Sequence, residues 1–299
     1  MNATPSLAYV TPAATPPWKR WLVCSPMARI VICVVLFIVL NRSASALVHA
    51  LTQGMAKTAM SPALVYLAVA LLPAILTYAF LVRVVERRRP AELAPRRWPD
   101  ALRGLLAGGL LLSAVVGVLW LLGSYHVTGF NPRANWLPAL LVAGIGAGIG
   151  EEILFRGVLF RIVEEGLGTW AALLISALFF GFAHAGNPGA TAWSSAAIAI
   201  EAGLLFGLLY HVARSLPLCM GLHAAWNFCQ GTVYGIPVSG MKADGWLVST
   251  RTGPDWLSGG VFGAEASVVA LALCLLCSAA LLALALRRHS LVPPSWRRR

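Results

Sequence analysis

Polar side chains of three short patterns interrupt otherwise apolar stretches of the sequence. The patterns read EExxxR, FxxxH and HxxxN, and they comprise Glu151, Glu152 and Arg156, then Phe180 and His184, then His223 and Asn227. Carboxylate, imidazole and amide groups together could move protons, bind a metal ion or hydrolyse an amide bond. A charged side chain at the centre of a membrane helix costs about 2.5 to 3.5 kcal/mol, so each pattern is a candidate functional site.

The first pattern gives its two carboxylates different expected roles. Glu152 and Arg156 lie one helical turn apart, where an i,i+4 ion pair neutralises both charges. Glu151 lies about 100° further round the helix and has no such local partner. Glu151 is therefore the carboxylate that we expect to face the neighbouring helices and to be free for chemistry.

The other two patterns supply the remaining groups of a hydrolytic site. His184 shares a helix face with Phe180, and His223 shares one with Asn227. In this interpretation Glu151 acts as general base on a water, and His184 orients that water and later protonates the leaving amine. His223 and Asn227 hold the carbonyl oxygen, a contact whose removal typically costs about 2.7 to 4 kcal/mol.

Each polar residue also has a structural interpretation. A lone His or Asn in a membrane bundle usually makes a hydrogen bond between helices worth about 1 kcal/mol. A fourth, weaker cluster pairs Glu201 with His211 on one predicted span, and Glu201 is expected to be an interior ion-pair partner. The combination of three patterns, and not any single residue, favours a functional site.

The composition places all of these residues in a membrane. Of 299 residues, 59% are hydrophobic and 11% are charged, against about 25% charged in soluble domains. A helix needs about 20 apolar residues to cross the hydrocarbon layer. Apolar stretches therefore predict about eight spans, near residues 30–50, 58–82, 104–132, 136–163, 166–200, 194–213, 215–241 and 266–286. The expected fold is an all-α polytopic helix bundle, one membrane domain over 29–286, with the site on helices four, five and seven.

Glycine spacing predicts where these helices approach closely. GxxxG pairs leave a helix face bare enough for another backbone to pack against it. Such pairs are Gly144 with Gly148, Gly146 with Gly150, and Gly203 with Gly207. Tight packing around Glu151 is the expected consequence.

The net charge of +12 reports topology. Basic residues cluster at 19–20, at 83–103 and in the tail 287–299, which eight spans place on one side, whereas Lys57, Arg133, Lys242 and Arg251 are scattered over the other. Positive residues mark cytoplasmic loops. Both the tail 1–28 and the tail 287–299 are thus predicted to be cytoplasmic, in a bacterial-type plasma membrane, with 235–259 as an extracytoplasmic loop. Lipid contact, and not nucleic-acid binding, is the expected role of the charge.

The predicted spans place one residue of the site, His184, at a different depth in the bilayer from the others. A rise of about 1.5 Å per residue brings Glu151 and His223 to similar depths in the bilayer but leaves His184 roughly 12 to 16 Å away. A shared site needs direct or one-water contact. The fifth span must therefore begin inside the bilayer, or the predicted boundaries must be wrong.

In their order and spacing, the three patterns resemble those of the CPBP family, the CAAX proteases and bacteriocin-processing enzymes, also called the Abi family. The resemblance covers about residues 137–231. The best-known relatives in that family are the Ras-converting CAAX endopeptidases, eight-helix membrane proteins that cut the last three residues from prenylated proteins. By this resemblance the catalytic pair is Glu151 and His184, the oxyanion side is His223 and Asn227, and the supporting residues are Glu152, Arg156 and Phe180.

The resemblance implies an intramembrane endopeptidase whose substrate is a protein or peptide, with or without a lipid modification. Zinc remains an alternative, with Glu151, His184 and His223 as its ligands, but the absence of HExxH and the likeness to CAAX endopeptidases favour a glutamate-activated water without metal. Two other functions stay open: a non-catalytic immunity or regulatory protein of the same fold, and a proton-coupled transporter.

Overall fold

A computed structural model describes residues 7–53 and 62–298, which contain eight principal helices. In chain order they are α1 Pro26–Thr52, α2 Ala63–Val85, α3 Pro95–Leu121, α4 Trp136–Leu167, α5 Thr169–Ala183, α6 Ala192–Ala213, α7 Leu216–Phe228 and α8 Val268–Arg287. Six of these eight are long and apolar enough to cross a bilayer, the exceptions being α5 and α7. The predicted all-α polytopic membrane bundle is confirmed. Lys57 and the start of the predicted second span lie outside the described residues.

Two loops on one side of the bundle pair as a small antiparallel sheet. Strand β1, Tyr125–Phe130, pairs with strand β2, Leu247–Arg251. The predicted third span, 104–132, is therefore too long: the chain leaves α3 at Gly123, whose φ is 68°, and the following aromatic and β-branched residues favour a strand. The predicted loop 235–259 likewise contains β2. These strands connect the loop after α3 to the loop after α7.

Helices α4 and α5 form a hairpin that decides the depth of the site. The apolar pattern predicts that α4 ends near 163, but the helix continues to Gly168, where φ is 85° and a Cβ would lie 2.7 Å from the carbonyl oxygen of Val292. From this turn, Glu151 lies about 24 Å back along α4 and His184 about 22 Å along α5, at 1.5 Å per residue. The two residues therefore reach the same level, which removes the predicted conflict in depth.

Helix α7 crosses α3 at very short range. A Cβ on Gly104 would lie 2.2 Å from the carbonyl oxygen of Leu218, and one on Gly108 would lie 2.2 Å from that of Leu222. Gly221 of α7 makes the reciprocal approach, 2.2 Å from the carbonyl oxygen of Ala101. Only glycine fits these positions without moving a helix backbone. The crossing therefore fixes the depth of His223 in the bundle, because this residue directly follows Leu222.

A pair of substitutions on α3 tests this crossing. Gly108→Ala is expected to destabilise the protein by about 1 to 3 kcal/mol, because the methyl group would push α7 away. Gly117 lies on the same helix with nothing within 4 Å of its Cβ position. Gly117→Ala is therefore expected to be neutral or to stabilise by up to about 1 kcal/mol. Thermal unfolding in detergent measures both, and equal effects would contradict the crossing.

The predicted GxxxG contacts are confirmed at two positions. A Cβ on Gly148 would lie 3.0 Å from the backbone nitrogen of Ala224 in α7, and one on Gly203 would lie 2.6 Å from the Cα of Ala177 in α5. At Gly146, Gly150 and Gly207 the prediction is wrong, because the nearest atoms from another helix belong to the side chains of Tyr66, Leu71 and Leu173. Gly144 is in ordinary van der Waals contact with the backbone of α7, since its Cβ position lies 3.7 Å from the carbonyl oxygen of Ala224.

A buried ion network joins helix ends on the side opposite the sheet. Arg29 at the start of α1 lies 2.7 Å from Glu86 and 2.7 Å from Glu165, and Arg161 of α4 pairs with the same two carboxylates. Burial alone would raise the pKa of Glu86, but Arg161, Arg88 and Arg29 together hold it below its usual value. Removing one partner of such a network leaves a buried unpaired charge. The network therefore ties α1, α2 and α4 together.

Candidate active site

Glu151 and His184 face each other between α4 and α5. His184 Nε2 lies 3.9 Å from Glu151 Oε2, and the two side chains are 12% and 28% exposed. Glu151 Oε2 has no hydrogen-bond partner among the described residues. Among the described residues Glu151 thus lacks a local partner, as the spacing of the first motif predicted. The predicted separation of 12 to 16 Å is wrong, because the two arms of the hairpin have nearly equal length.

The FxxxH spacing fixes the orientation of the His184 ring. Nδ1 lies 2.8 Å from the carbonyl oxygen of Phe180. A carbonyl oxygen only accepts hydrogen bonds, so Nδ1 carries the hydrogen, and Nε2 of the neutral ring turns its lone pair towards Glu151. The ring of Phe180 packs against the imidazole at a centroid distance of 4.8 Å. Phe180 therefore positions His184 through both its backbone and its side chain.

The predicted i,i+4 ion pair is present and fully buried. Arg156 Nη1 lies 3.0 Å from Glu152 Oε1, and neither side chain is exposed. Arg156 also donates to the carbonyl oxygen of Ala202, 2.9 Å away. Its guanidinium lies over the rings of Phe180 and Phe206, 4.7 and 5.0 Å from their centroids. Arg156 thus connects α4 with α5 and α6 directly beneath the reacting groups.

Glu152 also holds His223, a contact that the sequence analysis missed. His223 Nδ1 lies 2.9 Å from Glu152 Oε1. The same oxygen accepts from Arg156, so it acts as an acceptor for Nδ1–H as well, and Nε2 is the nitrogen left for a ligand. His223 can donate to an oxyanion from Nε2 only when both ring nitrogens are protonated. One property of the sequence pointed to this contact: a carboxylate can accept several hydrogen bonds, and the predicted ion pair with Arg156 leaves Glu152 free to accept more.

Asn227 lies one turn after His223 on α7, as predicted, and its amide is partly engaged. Asn227 Nδ2 donates to the carbonyl oxygen of Ala143 in α4, at 2.9 Å. A side-chain amide has two N–H hydrogens, so one remains for a substrate. Wider, π-type turns occupy Leu140–Ala147, the part of α4 that receives this bond. Such turns are frequent at functional sites.

The four residues predicted to be catalytic line one chamber of about 650 Å³. Its inner wall carries Glu151, His184, His223 and Asn227, and its outer rim carries Asn135, Asn187, Lys242 and Asp244. The rim belongs to the loop after β1, the loop after α5 and the loop before β2. A volume of a few hundred cubic ångströms suits a small ligand or a few residues of an extended peptide.

The structure does not bring the predicted cluster of Glu201 and His211 together. His211 Nδ1 lies 2.6 Å from Glu164 Oε1, and Arg214 pairs with the other oxygen of the same carboxylate at 2.5 Å. Glu201 has no ion-pair partner among residues 7–53 and 62–298, so its predicted role as an ion-pair partner is wrong. The two residues lie over two helical turns apart on α6, and His211 reaches the end of α4 instead.

Glu201 lines a second, small cavity behind the two histidines. Its volume of about 30 Å³ has room for one or two waters. Glu265, which the sequence analysis did not single out, lines the same cavity and accepts a hydrogen bond from the backbone N–H of Ser239. This cavity is too small for a substrate side chain, so the larger chamber is the candidate binding site.

A zinc site would require three ligands brought together. Across the described parts of the chain, no group of three or more His, Cys, Asp and Glu side chains is placed to hold a metal ion. Glu151, His184 and His223 offer suitable donor atoms, but their positions do not form such a set.

A comparison with known families finds one match. Residues 133–229 match the model of the Rce1-like type II CAAX prenyl endopeptidase family. The match covers less than half of the chain and includes all three motifs. A search of curated proteins found no match. The resemblance predicted from the motifs is confirmed, and the family supports a membrane protease of this type.

Proposed function

We propose that this protein is an intramembrane endopeptidase in which Glu151 activates a water molecule for attack on a peptide bond. The observation that carries the proposal is the approach of Glu151 Oε2 to His184 Nε2, 3.9 Å apart at the wall of the chamber. A water that makes hydrogen bonds of about 2.8 Å to both atoms would fit beside them at an angle near 90°. Such a water has an acceptor on either side.

The side chains account for each step of hydrolysis. Glu151 takes a proton from the water, whose oxygen attacks the carbonyl carbon of the substrate. The free N–H of Asn227, together with Nε2–H of His223 when that ring is protonated, donates to the resulting oxyanion. The proton then passes through His184 to the leaving nitrogen as the C–N bond breaks. The products are a new carboxyl terminus and a new amino terminus.

A comparison of peptides tests the proposal directly. Membranes carrying the wild-type protein and the Glu151→Ala variant are compared for the C-terminal peptides that they contain, with Asp255→Asn as a matched carboxylate control outside the chamber. Peptide products are expected with the wild type and with Asp255→Asn, and not with Glu151→Ala. Equal products in all three would favour a non-catalytic immunity or regulatory protein of the same fold.

Chelation tests whether the reaction depends on a metal. We expect cleavage to persist after protein purified without added metal is treated with a strong chelator, because the proposed water is activated by carboxylate and imidazole. The same assay with zinc added back is the control. Loss of cleavage that zinc restores would contradict the metal-free mechanism and assign Glu151, His184 and His223 to the metal.

A further inference from the structure

The bundle has one strongly basic face, made of the ends of α2, α4 and α6, the starts of α1, α3, α5 and α7, and the tail after α8. Hydrogen bonds hold these parts together: Thr169 N donates to the carbonyl oxygen of Val292, and Arg298 donates to that of Glu165. The segments 19–20, 83–103 and 287–298 on this face contain thirteen Lys and Arg against three Asp and Glu.

The opposite face, called the chamber face below, has a balanced charge. It consists of the sheet and of the loops at 122–135, 184–191 and 234–267. Backbone hydrogen bonds such as that from the N–H of Asn131 to the carbonyl oxygen of Trp246 join the first and third loops, and the second packs against the third where Pro188 meets Gly240. These three loops contain three basic and three acidic residues. Within residues 7–53 and 62–298, the excess of positive charge therefore lies on the basic face.

The chamber opens on the chamber face. Its rim is formed by Asn135, Asn187, Lys242 and Asp244, all of which belong to the loops of that face. His184 directly follows α5, at the end of that helix remote from the basic face. The reacting groups are thus reached from the side that lacks the positive charge.

Loops rich in Lys and Arg stay in the cytoplasm when a membrane protein is inserted. Applied to this charge distribution, the rule puts the basic face in the cytoplasm and the chamber mouth outside it. We infer that the chamber takes its substrate from the extracytoplasmic side of the membrane. The substrate class is then an exported peptide, or the extracytoplasmic segment of a membrane-anchored protein, and not a protein terminus presented from the cytoplasm. The substrate part of this inference rests on the proposed peptidase function.

Cysteine labelling of intact cells tests the orientation. Met241→Cys, 59% exposed at the chamber mouth, is compared with Trp296→Cys, 69% exposed on the basic face, using a membrane-impermeant maleimide. The wild type measures the background from its six native thiols. Met241→Cys is expected to label in intact cells and Trp296→Cys only after permeabilisation. The reverse result would overturn the inference. If Met241→Cys does not accumulate, Val261→Cys, 72% exposed on the same face, replaces it.

Vesicles of known orientation test the substrate side separately. A membrane-impermeant peptide that spans the bond cleaved by the wild-type protein is added to right-side-out and to inverted vesicles, each with the wild type and with Glu151→Gln. Cleavage is expected only with the wild type in right-side-out vesicles. Cleavage only in inverted vesicles would overturn the inference and leave the peptidase function standing. Absence of cleavage in both would contradict the proposed function, whereas the labelling would still decide the orientation.

Discussion

Glu151→Gln is expected to abolish peptide-bond cleavage and to leave the fold intact. Glutamine has nearly the same shape but cannot accept a proton from water, and loss of general-base catalysis alone costs about 10²- to 10⁴-fold in rate. The fold should tolerate the change because the Glu151 side chain is 28% exposed and its Oε2 has no hydrogen-bond partner in the described residues. The rate of product formation and the thermal unfolding midpoint in detergent measure the two effects.

The neighbouring carboxylate provides the matched control for this prediction. Glu152→Gln changes the same group one residue later, but this side chain is fully buried and pairs with both Arg156 and His223. We expect Glu152→Gln to lower the unfolding midpoint as well as the rate, whereas Glu151→Gln lowers the rate alone. A Glu151→Gln variant that cleaves at the wild-type rate would contradict the assignment of Glu151 as general base.

Local spacing was enough to predict the contacts within each motif. The pair Glu152 and Arg156, and the shared face of Phe180 and His184, follow from the helical period. The contact between Glu152 and His223 does not, because it joins residues 71 positions apart on different helices. A single sequence gives the identity of such groups but not which of them meet.

The depth of His184 could not be predicted, because Glu164 and Glu165 resemble residues of a solvated loop and so predict that α4 ends near 163. Both carboxylates are instead buried and paired, Glu164 with His211 and Glu165 with Arg161. The helix therefore continues to the Gly168 turn. Charged residues mark the end of a span only when water, and not another side chain, solvates them.

The two strands were missed for a different reason. Residues 125–130 carry no Asp, Glu, Lys or Arg, so the uncharged stretch that begins in α3 continues through them to 132. Their alternation of aromatic, β-branched and polar residues favours a strand, but β1 exists only because β2 lies beside it. The sheet thus depends on a pairing more than a hundred residues distant, which hydropathy does not detect.

Arg156→Ala is expected to have the largest effect on stability, about 3 to 5 kcal/mol, because it leaves the Glu152 carboxylate buried without its cation. The Arg156 side chain is fully buried, with its guanidinium over the rings of Phe180 and Phe206 and away from bulk solvent. Arg97→Ala is the control: that side chain is 31% exposed and 3.8 Å from its partner, and its loss should cost at most about 1 kcal/mol. Unfolding in detergent measures both.

A double substitution separates the cost of the unpaired charge from the cost of lost packing. Glu152→Gln with Arg156→Met removes both charges, fills the space between the two rings, and leaves an amide oxygen that can accept from His223 Nδ1. Replacing a buried ion pair by groups of similar volume is often nearly neutral. The double variant is therefore expected to recover most of the stability that Arg156→Ala loses. A double variant as unstable as Arg156→Ala would mean that the contacts of the guanidinium with Ala202 and the two rings, and not its charge, hold α4 to α5 and α6.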